Sequence, residues 1–469
     1  MYKLHLIKKY LLKRRIAWVA LLAVMLCTAM VLVVISVMGG WLRMFQDSFH
    51  GITGDVVVEA RSLAGFPYYQ EIIDRAKKEV PGVETAVPVI STGGMVNINN
   101  IQQPVQVLGF TNEIGTVIDW PTSLHSQYET RADKPKTPEP DFSLLPNVDY
   151  AQLAGRAPDH GKRPGMIVSA ALIGIHGGKD AATQERNEET RDIMRNARVS
   201  LMVVPMKPGQ GLTDIAPVQQ GFWIVDDSRT RLWQVDYNTV YVPFDVIQRD
   251  LHMEAFDNEP ARASEIRVKA KPGADLVAVR DAVRQVVDAV YAEHPAEDTA
   301  YYPVRVMTWE ESQAKFIDAV KHEVVLTTML FGIISMVAVL LIFCIFYMIV
   351  VEKTKDIGII KSVGATGQGI MSLFLGYGLA IGVVGAGLGF LFAYLVVRYI
   401  NELHAWMGRA MGIKIWDPET YQFETIPNKM NPTTVFWILV VAVLSALLGA
   451  LVPAIRAARM NPVEALRYE

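Results

Sequence analysis

The sequence predicts a multi-pass α-helical membrane protein: four transmembrane helices, with a large α+β extracytoplasmic domain between helices 1 and 2. Three observations lead there. Of 469 residues, 51 % are hydrophobic and 20 % charged, and the mean hydropathy is +0.22, too apolar for a chain folding wholly in water. Four stretches hold no Asp, Glu, Lys or Arg over the roughly 20 residues that a bilayer crossing needs: Ile16–Met38, Val324–Val351, Ser362–Val397 and Met430–Ile455. Between the first two lies a long segment of ordinary globular composition.

Charge and cysteine content narrow the class. Lys and Arg number 45 against 48 Asp and Glu, a net charge of −3, which argues against a nucleic-acid partner. The abundance of aliphatic and aromatic residues excludes disorder as the main state. Cys27 and Cys344 both fall in apolar runs, so neither a disulfide framework nor a Cys-based zinc site is expected.

The first apolar run follows Lys3, Lys8, Lys9, Lys13, Arg14 and Arg15. It is too long for a signal-peptide core, and Ser36 to Trp41 is a poor cleavage site, so it reads as a retained anchor. Basic residues also mark the loop after the second span (Lys353, Lys355, Lys361) and the tail (Arg456, Arg459, Arg467). The loop after the third span balances its bases with Glu402, Asp417, Glu419 and Glu424. Both termini and the 352–361 loop are therefore expected in the cytoplasm. The organisation that follows is a basic segment (1–15), a first span (16–40), an extracytoplasmic domain with stalk helices (41–323) and a second span (324–351). A short cytoplasmic helix (352–367), a third span (368–397), an outer loop (398–430), a fourth span (431–455) and a cytoplasmic tail (456–469) complete it.

In the outer segment, Gly54–Glu59, Thr85–Ile90 and Glu265–Lys269 read as strands. Tyr68–Val80 reads as a helix stopped by Pro81-Gly82, and Asp275–Tyr291 as an amphipathic helix burying Leu276, Val277, Val283, Val286 and Val287. This recurrence at both ends predicts a two-lobed domain with a mostly β middle, whose strands lie near Val105–Phe110, Gly165–Ala170, Ala197–Val204, Gly221–Val225 and Thr239–Val242. Ser123–Pro146, Lys179–Arg198 and Pro205–Gln220 read as excursions, the second as a solvent-facing helix or disordered, the third as a hairpin tip or loop. At the membrane end, Trp41, Leu42, Phe45 and Phe49, and likewise Trp309, Phe316 and Val320, share helix faces. They fit a stalk, and Trp41 and Trp309 fit interfacial anchors equally well.

Catalytic signatures are missing. No Walker A loop, H-E-x-x-H, C-x-x-C or G-x-S-x-G pattern occurs, and the histidines lack ligand spacing. The chain is not expected to be an enzyme, nor to hold a cofactor or metal. The spans lack the ionisable groups that ion-coupled transporters place at mid-membrane, so energy for any uphill movement has to come from a partner.

The cytoplasmic loop is the informative segment. In Glu352-Lys353-Thr354-Lys355-Asp356-Ile357-Gly358-Ile359-Ile360-Lys361-Ser362-Val363-Gly364-Ala365-Thr366, charges precede apolar Ile357, Ile360 and Val363, and Gly364 to Gly367 turn the chain back. The segment resembles the coupling-helix signature of the FtsX/MacB/LolC ABC permeases, with Asp356 in place of the usual Glu. The tail, Pro453-Ala454-Ile455-Arg456-Ala457-Ala458-Arg459-Met460-Asn461-Pro462-Val463-Glu464-Ala465-Leu466-Arg467, is similar to that family's ending. One span, a large outer domain and three more spans is the family layout. The start, Ser36-Val37-Met38-Gly39-Gly40-Trp41, is similar to the lipoprotein-releasing members (LolC/LolE type).

The resemblance implies an FtsX-like permease domain over 324–462 and a MacB-like periplasmic core with a porter-like lobe and a β-rich lobe. It implies a separate cytoplasmic ABC ATPase that binds the ATP, because only 15 residues precede the first span. It also implies a second permease chain (identical or different), a periplasmic chaperone or adaptor, and contact with lipids of the cell inner membrane. Residues implied in ATPase contact are Glu352, Lys353, Lys355, Asp356, Ile357, Gly358, Gly364 and Ala365. The cargo is left open between lipoproteins or other amphipathic substrates, peptides or drugs as for MacB, and none as for FtsX. The 123–146 and 179–198 excursions depart from the compact lipoprotein-releasing pattern.

Overall fold

The structure, a computed structural model, describes residues 15–143, 163–175, 181–195, 197, 199–206, 216–230, 232–257, 259–294, 303–411, 426, 428, 430–461 and 463. The basic segment before Arg15, the end of the Ser123–Pro146 stretch, the start of Lys179–Arg198, the centre of Pro205–Gln220, much of the 398–430 loop and the last tail residues lie outside these. Contacts divide the chain into two units, Phe45–Ile317 with Trp416–Glu424, and Met1–Met44 with Asp318–Ile415 and Thr425–Glu469.

Helix α1 (Arg15–Thr53) runs through Gly39-Gly40 without a break, so the two glycines do not separate a span from a second helix. Its last turns belong to the first of these units, the outer one. There Phe45 and Phe49 are buried, and Gly54, at φ +84°, donates its N–H to His50 O and stops the helix in the left-handed conformation that glycine tolerates.

The rest of the outer unit is β1 (Val56–Ala60), β2 (Phe66–Pro67), α2 (Tyr69–Glu79), β3 (Val83–Ile98), β4 (Ile101–Phe110), β5 (Gly165–Ser169), α3 (Ala181–Arg195), β6 (Val199–Val203), β7 (Val218–Ser228), β8 (Thr239–Pro243), α4 (Phe244–Asp250), β9 (Arg262–Ala263), β10 (Glu265–Ala270), α5 (Leu276–Glu293) and β11 (Val304–Thr308). Nine strands form one sheet in the order β11-β1-β10-β3-β4-β8-β5-β7-β6, and β6 also pairs with β3. The β3–β6 pairing closes β3, β4, β8, β5, β7 and β6 into a ring. Strand β3 makes the closure possible by changing partners along one edge: Val83–Val89 pair with β10 and Gly94–Ile98 with β6. The switch falls at Gly93-Gly94, where a Cβ on Gly94 would stand 2.9 Å from Val107 Cγ2 and 3.0 Å from Met202 O. Glycine permits that approach. The sequence reading ends this strand at Ile90; it runs on to Ile98 instead, and passes from one partner to the next at the glycine pair.

Helices α2 and α5 cover the β11-β1-β10-β3 part. Asp275 caps α5 by accepting from Val277 N, and Val279, Val283, Val286, Val287 and Val290 face the core. Val277, expected inside, is half exposed; the buried stripe begins two residues later because Val277 occupies the first turn. Inside the ring the core includes Val96, Val107, Met166, Val168, Leu201, Phe222, Val240 and Val242.

Two of the expected excursions pack more firmly than their polarity implies. Leu124 and Phe142 are buried with Phe110, Trp120 and Tyr241, which pins the described part of the proline-rich stretch at two places. Helix α3 buries Thr183 and Asn187, and Arg191 forks onto Asp227, Nε to Oδ1 at 2.8 Å and Nη2 to Oδ2 at 3.0 Å. Its inner face is thus fixed to β7 rather than bathed in solvent. Trp309, capped into a short helical turn by Thr308 and Glu311, is buried, which removes it as an interfacial anchor.

The second unit holds α6 (Ala314–Glu352) from Asp318 onward, α7 (Thr354–Ser362), α8 (Gly367–Arg398), α9 (Ile400–Met411) and α10 (Pro432–Arg459). Four helices, α1, α6, α8 and α10, are long and apolar enough to cross a membrane. Their shared core joins Ala20 and Val24 of α1, Phe346 and Ile349 of α6, Tyr377 and Ile381 of α8, and Ala446, Ala450 and Ala454 of α10. Helix α8 approaches its neighbours through small residues. A Cβ on Gly378 would lie 2.6 Å from Ala450 Cβ, and one on Gly389 would lie 2.7 Å from Met25 O. Close backbone approach of this kind stands in for the hydrophobic drive that lipid does not supply.

Candidate functional site

The loop between α6 and α8 is a nine-residue helix, α7, with a defined inner side. Thr354 Oγ1 donates to Val351 O at 2.8 Å, joining α7 to the end of α6. Ile357 is buried among α6, α8 and α10 side chains, a contribution of about 2 kcal/mol by area. Lys361 reaches the end of α10, where its Nζ donates to Ala458 O at 2.7 Å and to Met460 O at 2.6 Å. These are among the carbonyls a helix C-terminus leaves without intrahelical donors, and a cation suits them. Gly364 follows at φ +105°, Ala365 N bonds back to Ile360 O, and the Thr366 side chain caps α8 by accepting from Gly369 N.

The eight residues implied in ATPase contact divide by side. Glu352, Lys355 and Gly364 are exposed; Lys353, Asp356 and Ala365 are half-buried; Ile357 and Gly358 are buried. Lys353 Nζ contacts the Asp356 carboxylate. The two buried residues face the helix bundle and are spent on seating α7. The apolar Ile357, Ile360 and Val363 do not share one environment: Ile357 is buried, whereas Val363 is 84 % exposed. Ile359, with 52 % of its surface exposed, stands beside the charged residues instead. Sequence reasoning missed Lys361 as an anchor. Its position in the last turn of α7 was a signal, but its partners lie 97 and 99 residues away.

A second feature of this unit is a cavity of about 530 Å³. Apolar side chains of α1, α6 and α10, among them Val31, Ile35, Phe331, Met336 and Trp437, line it, with the small polar groups Cys27, Thr28, Ser335 and Ser445. Cys27 Sγ lies 3.6 Å from Ser335 Oγ. The lining contains no charged residue. Its chemistry suits a hydrocarbon ligand with few polar atoms.

Two family models match this chain. The model of the FtsX-like permease C-terminal region matches residues 328–462, spanning α7 and the α10 end that Lys361 holds. The MacB-like periplasmic core domain matches residues 17–137. In both regions the chain is similar to ABC transporter permeases of the FtsX/MacB/LolC type. Relatives of this permease include the lipoprotein-releasing system transmembrane protein LolC of Haemophilus influenzae, 28 % identical over 36 % of this chain and 40 % of that protein. LolC of Xylella fastidiosa is 26 % identical over the same shares. The uncharacterized ABC transporter permease YknZ of Bacillus subtilis is 24 % identical over 51 % of this chain and 52 % of its own. The match thus spans 40 % of the length of these LolC relatives. Among solved structures, the periplasmic region of MacB from Actinobacillus actinomycetemcomitans aligns over 58 % of this chain and 97 % of its own, with 7 % identity and a TM-score of 0.31.

Proposed function

We propose that this permease is the membrane subunit of a mechanotransmission transporter. A separate cytoplasmic ABC ATPase moves α7, and the spans pass that movement to the outer domain, releasing lipoproteins or other amphipathic cargo from the inner membrane. The carrying observation is the two-sidedness of α7. Ile357 and Lys361 hold its inner side to three helices, while Glu352, Lys355, Ile359 and Val363 are offered outward. A helix seated this way moves with the bundle when pushed, and its outer side carries the mixed apolar and charged groups by which helices dock in protein grooves. Both termini and α7 lie in the cytoplasm in this reading, two permease chains pair, and an outer chaperone or adaptor receives the cargo. The charge-free cavity favours an amphipathic cargo over a polar one.

The test is charge reversal on the outward side. Lys355→Glu, alone and with Lys353→Glu, is expected to cut co-purification with the cognate ATPase by about tenfold while the permease stays folded. Unchanged complex formation and ATP turnover would remove α7 from the interface. Depleting the permease and identifying what accumulates in the inner membrane decides the cargo: peptides or drugs would favour MacB-like efflux, and no accumulation an FtsX-like regulator.

A further inference from the structure

The end of α1 is tied to the outer domain by more than a helix cap. Gly51 O accepts from Asp119 N at 2.8 Å, and Ile52 O accepts from Arg267 Nη1 at 2.5 Å. Terminal helix carbonyls ordinarily turn to water or to a local glycine; here a distant turn and a strand of the sheet take two of them. The His50 side chain adds a third tie. Its Nε2 stands 2.7 Å from Asp55 Oδ1, and its ring stacks on the Trp309 indole with centroids 5.0 Å apart and 26° between planes. Asp55 in turn accepts from Ala270 N through its second oxygen at 2.7 Å, and its carbonyl accepts from Trp309 N at 3.0 Å. One imidazole thereby touches the end of α1, the entry to β1, the end of β10 by way of Asp55, and the residue that follows β11.

We propose that His50 is a positioning residue that pins the last turn of α1 to β1 and β10 through Asp55 and to Trp309 through its ring, and that the pin tightens when the imidazole gains a proton. Protonation turns the hydrogen bond to Asp55 into a charge-assisted one. It places a cation near a helix C-terminus and against an indole face, both favourable. The charges facing the ring are Asp55, Asp119 and Asp47, with Lys269 acting on Asp55 and Arg267 on the neighbouring carbonyl. Burial raises the Asp55 carboxyl, yet its bonds from His50 and Ala270 hold it below the usual carboxylate value, so it is an anion across the range in which an imidazole titrates. Any use of this pin in transmission rests on the coupling reading above; the pin itself does not.

Hydrogen–deuterium exchange of the full chain in lipid nanodiscs, with no ATPase present, reads the joint directly. After correction for intrinsic rates, peptides covering 50–56 and Trp309 are expected to exchange about fivefold faster at pH 8.5 than at pH 6. His50→Gln keeps a donor that cannot be charged and should abolish that difference while β3 and β4 stay protected. His50→Phe keeps the stack, loses the bond to Asp55, and should exchange fast at both pH values. Native pH dependence in His50→Gln, or native protection at pH 6 in His50→Phe, would overturn the pin. If His50→Phe exposes β3 and β4 as well, it has unfolded the domain and the glutamine variant decides alone. A failure of α7 to engage an ATPase would sink the coupling reading and leave this result standing.

Discussion

Along α8 and α10 of the membrane-spanning unit, the buried positions are largely glycine and alanine: Gly378 and Gly382 lie against Ala450 and Ala446 of α10, and Gly385 and Gly389 against Val24 and Met25 of α1. In the outer unit the ring of strands closes on Val, Ile, Leu, Met and Phe, and buried carboxylates are met by a cation, as Asp227 by Arg191, or by backbone N–H groups, as Asp226. Among the described residues, the buried polar side chains of the membrane-spanning unit are Thr28 and Ser36, and none is charged. The difference follows from the solvent. Water rewards bulk burial and lets two matched charges share the cost of leaving it. Lipid rewards neither, so helices gain by letting backbones approach.

Substitutions that violate each rule should separate the two units. The largest loss is expected from Arg191→Ala, about 4 kcal/mol, because it strands Asp227 in the interior. Pairing Arg191→Met with Asp227→Leu should recover most of it, as read from chemical unfolding and proteolysis of α3. A single mutant as stable as the native chain would show that the ion pair holds nothing. Next, Gly389→Ala should cost about 2 kcal/mol by forcing α8 off the Met25 carbonyl. Gly387→Ala, whose Cβ would meet nothing within 4 Å, should be neutral. Thermal unfolding in detergent compares the two, and equal effects would refute close packing as the organising term.

The smallest effect concerns pH in the outer unit. Asp226 accepts backbone N–H bonds from Ser126, Gln127 and Asp227, yet burial and the Asp227 charge push its carboxyl up to about 6. Burial lowers His125, but Glu129, with the Asp227 and Glu188 charges, raises it further than burial lowers it. Both native groups hold their protons more tightly than their unfolded counterparts. Stability from them is therefore present at low pH and lost as pH rises through the native values. Asp226→Asn should flatten the decline between pH 5 and 8 by on the order of 1 kcal/mol. Parallel melting curves for variant and native chain would contradict this.

How much of this was legible in the sequence depends on the range of the interaction. The uncharged runs, the consecutive valines of β1 and the alternation of Ile266 and Val268 in β10 announced their helices and strands because those signals are local. Two elements run further than their local signals: α1 continues through Gly39-Gly40 to Thr53, and β3 continues past Ile90 to Ile98. The outer faces of the excursions were readable as polar, but the Arg191–Asp227 bond spans 36 residues and leaves no periodic trace. At the candidate site, the charged start and apolar end of α7 were plain. Which apolar residue turns inward was not, because burial of Ile357 and exposure of Val363 are decided by α6, α8 and α10, which no local pattern encodes.

The partner switch in β3 also sets a timetable. Residues are translocated in order, so β4 reaches β3 at once while β6 comes much later and β10 later still. Until then the Val83–Val89 and Gly94–Ile98 edges present open backbone, the kind of template that recruits foreign strands. The nascent outer domain therefore passes through a vulnerable interval that ends only when Glu265–Ala270 arrives, and a chain cut short before that point should aggregate rather than fold in part.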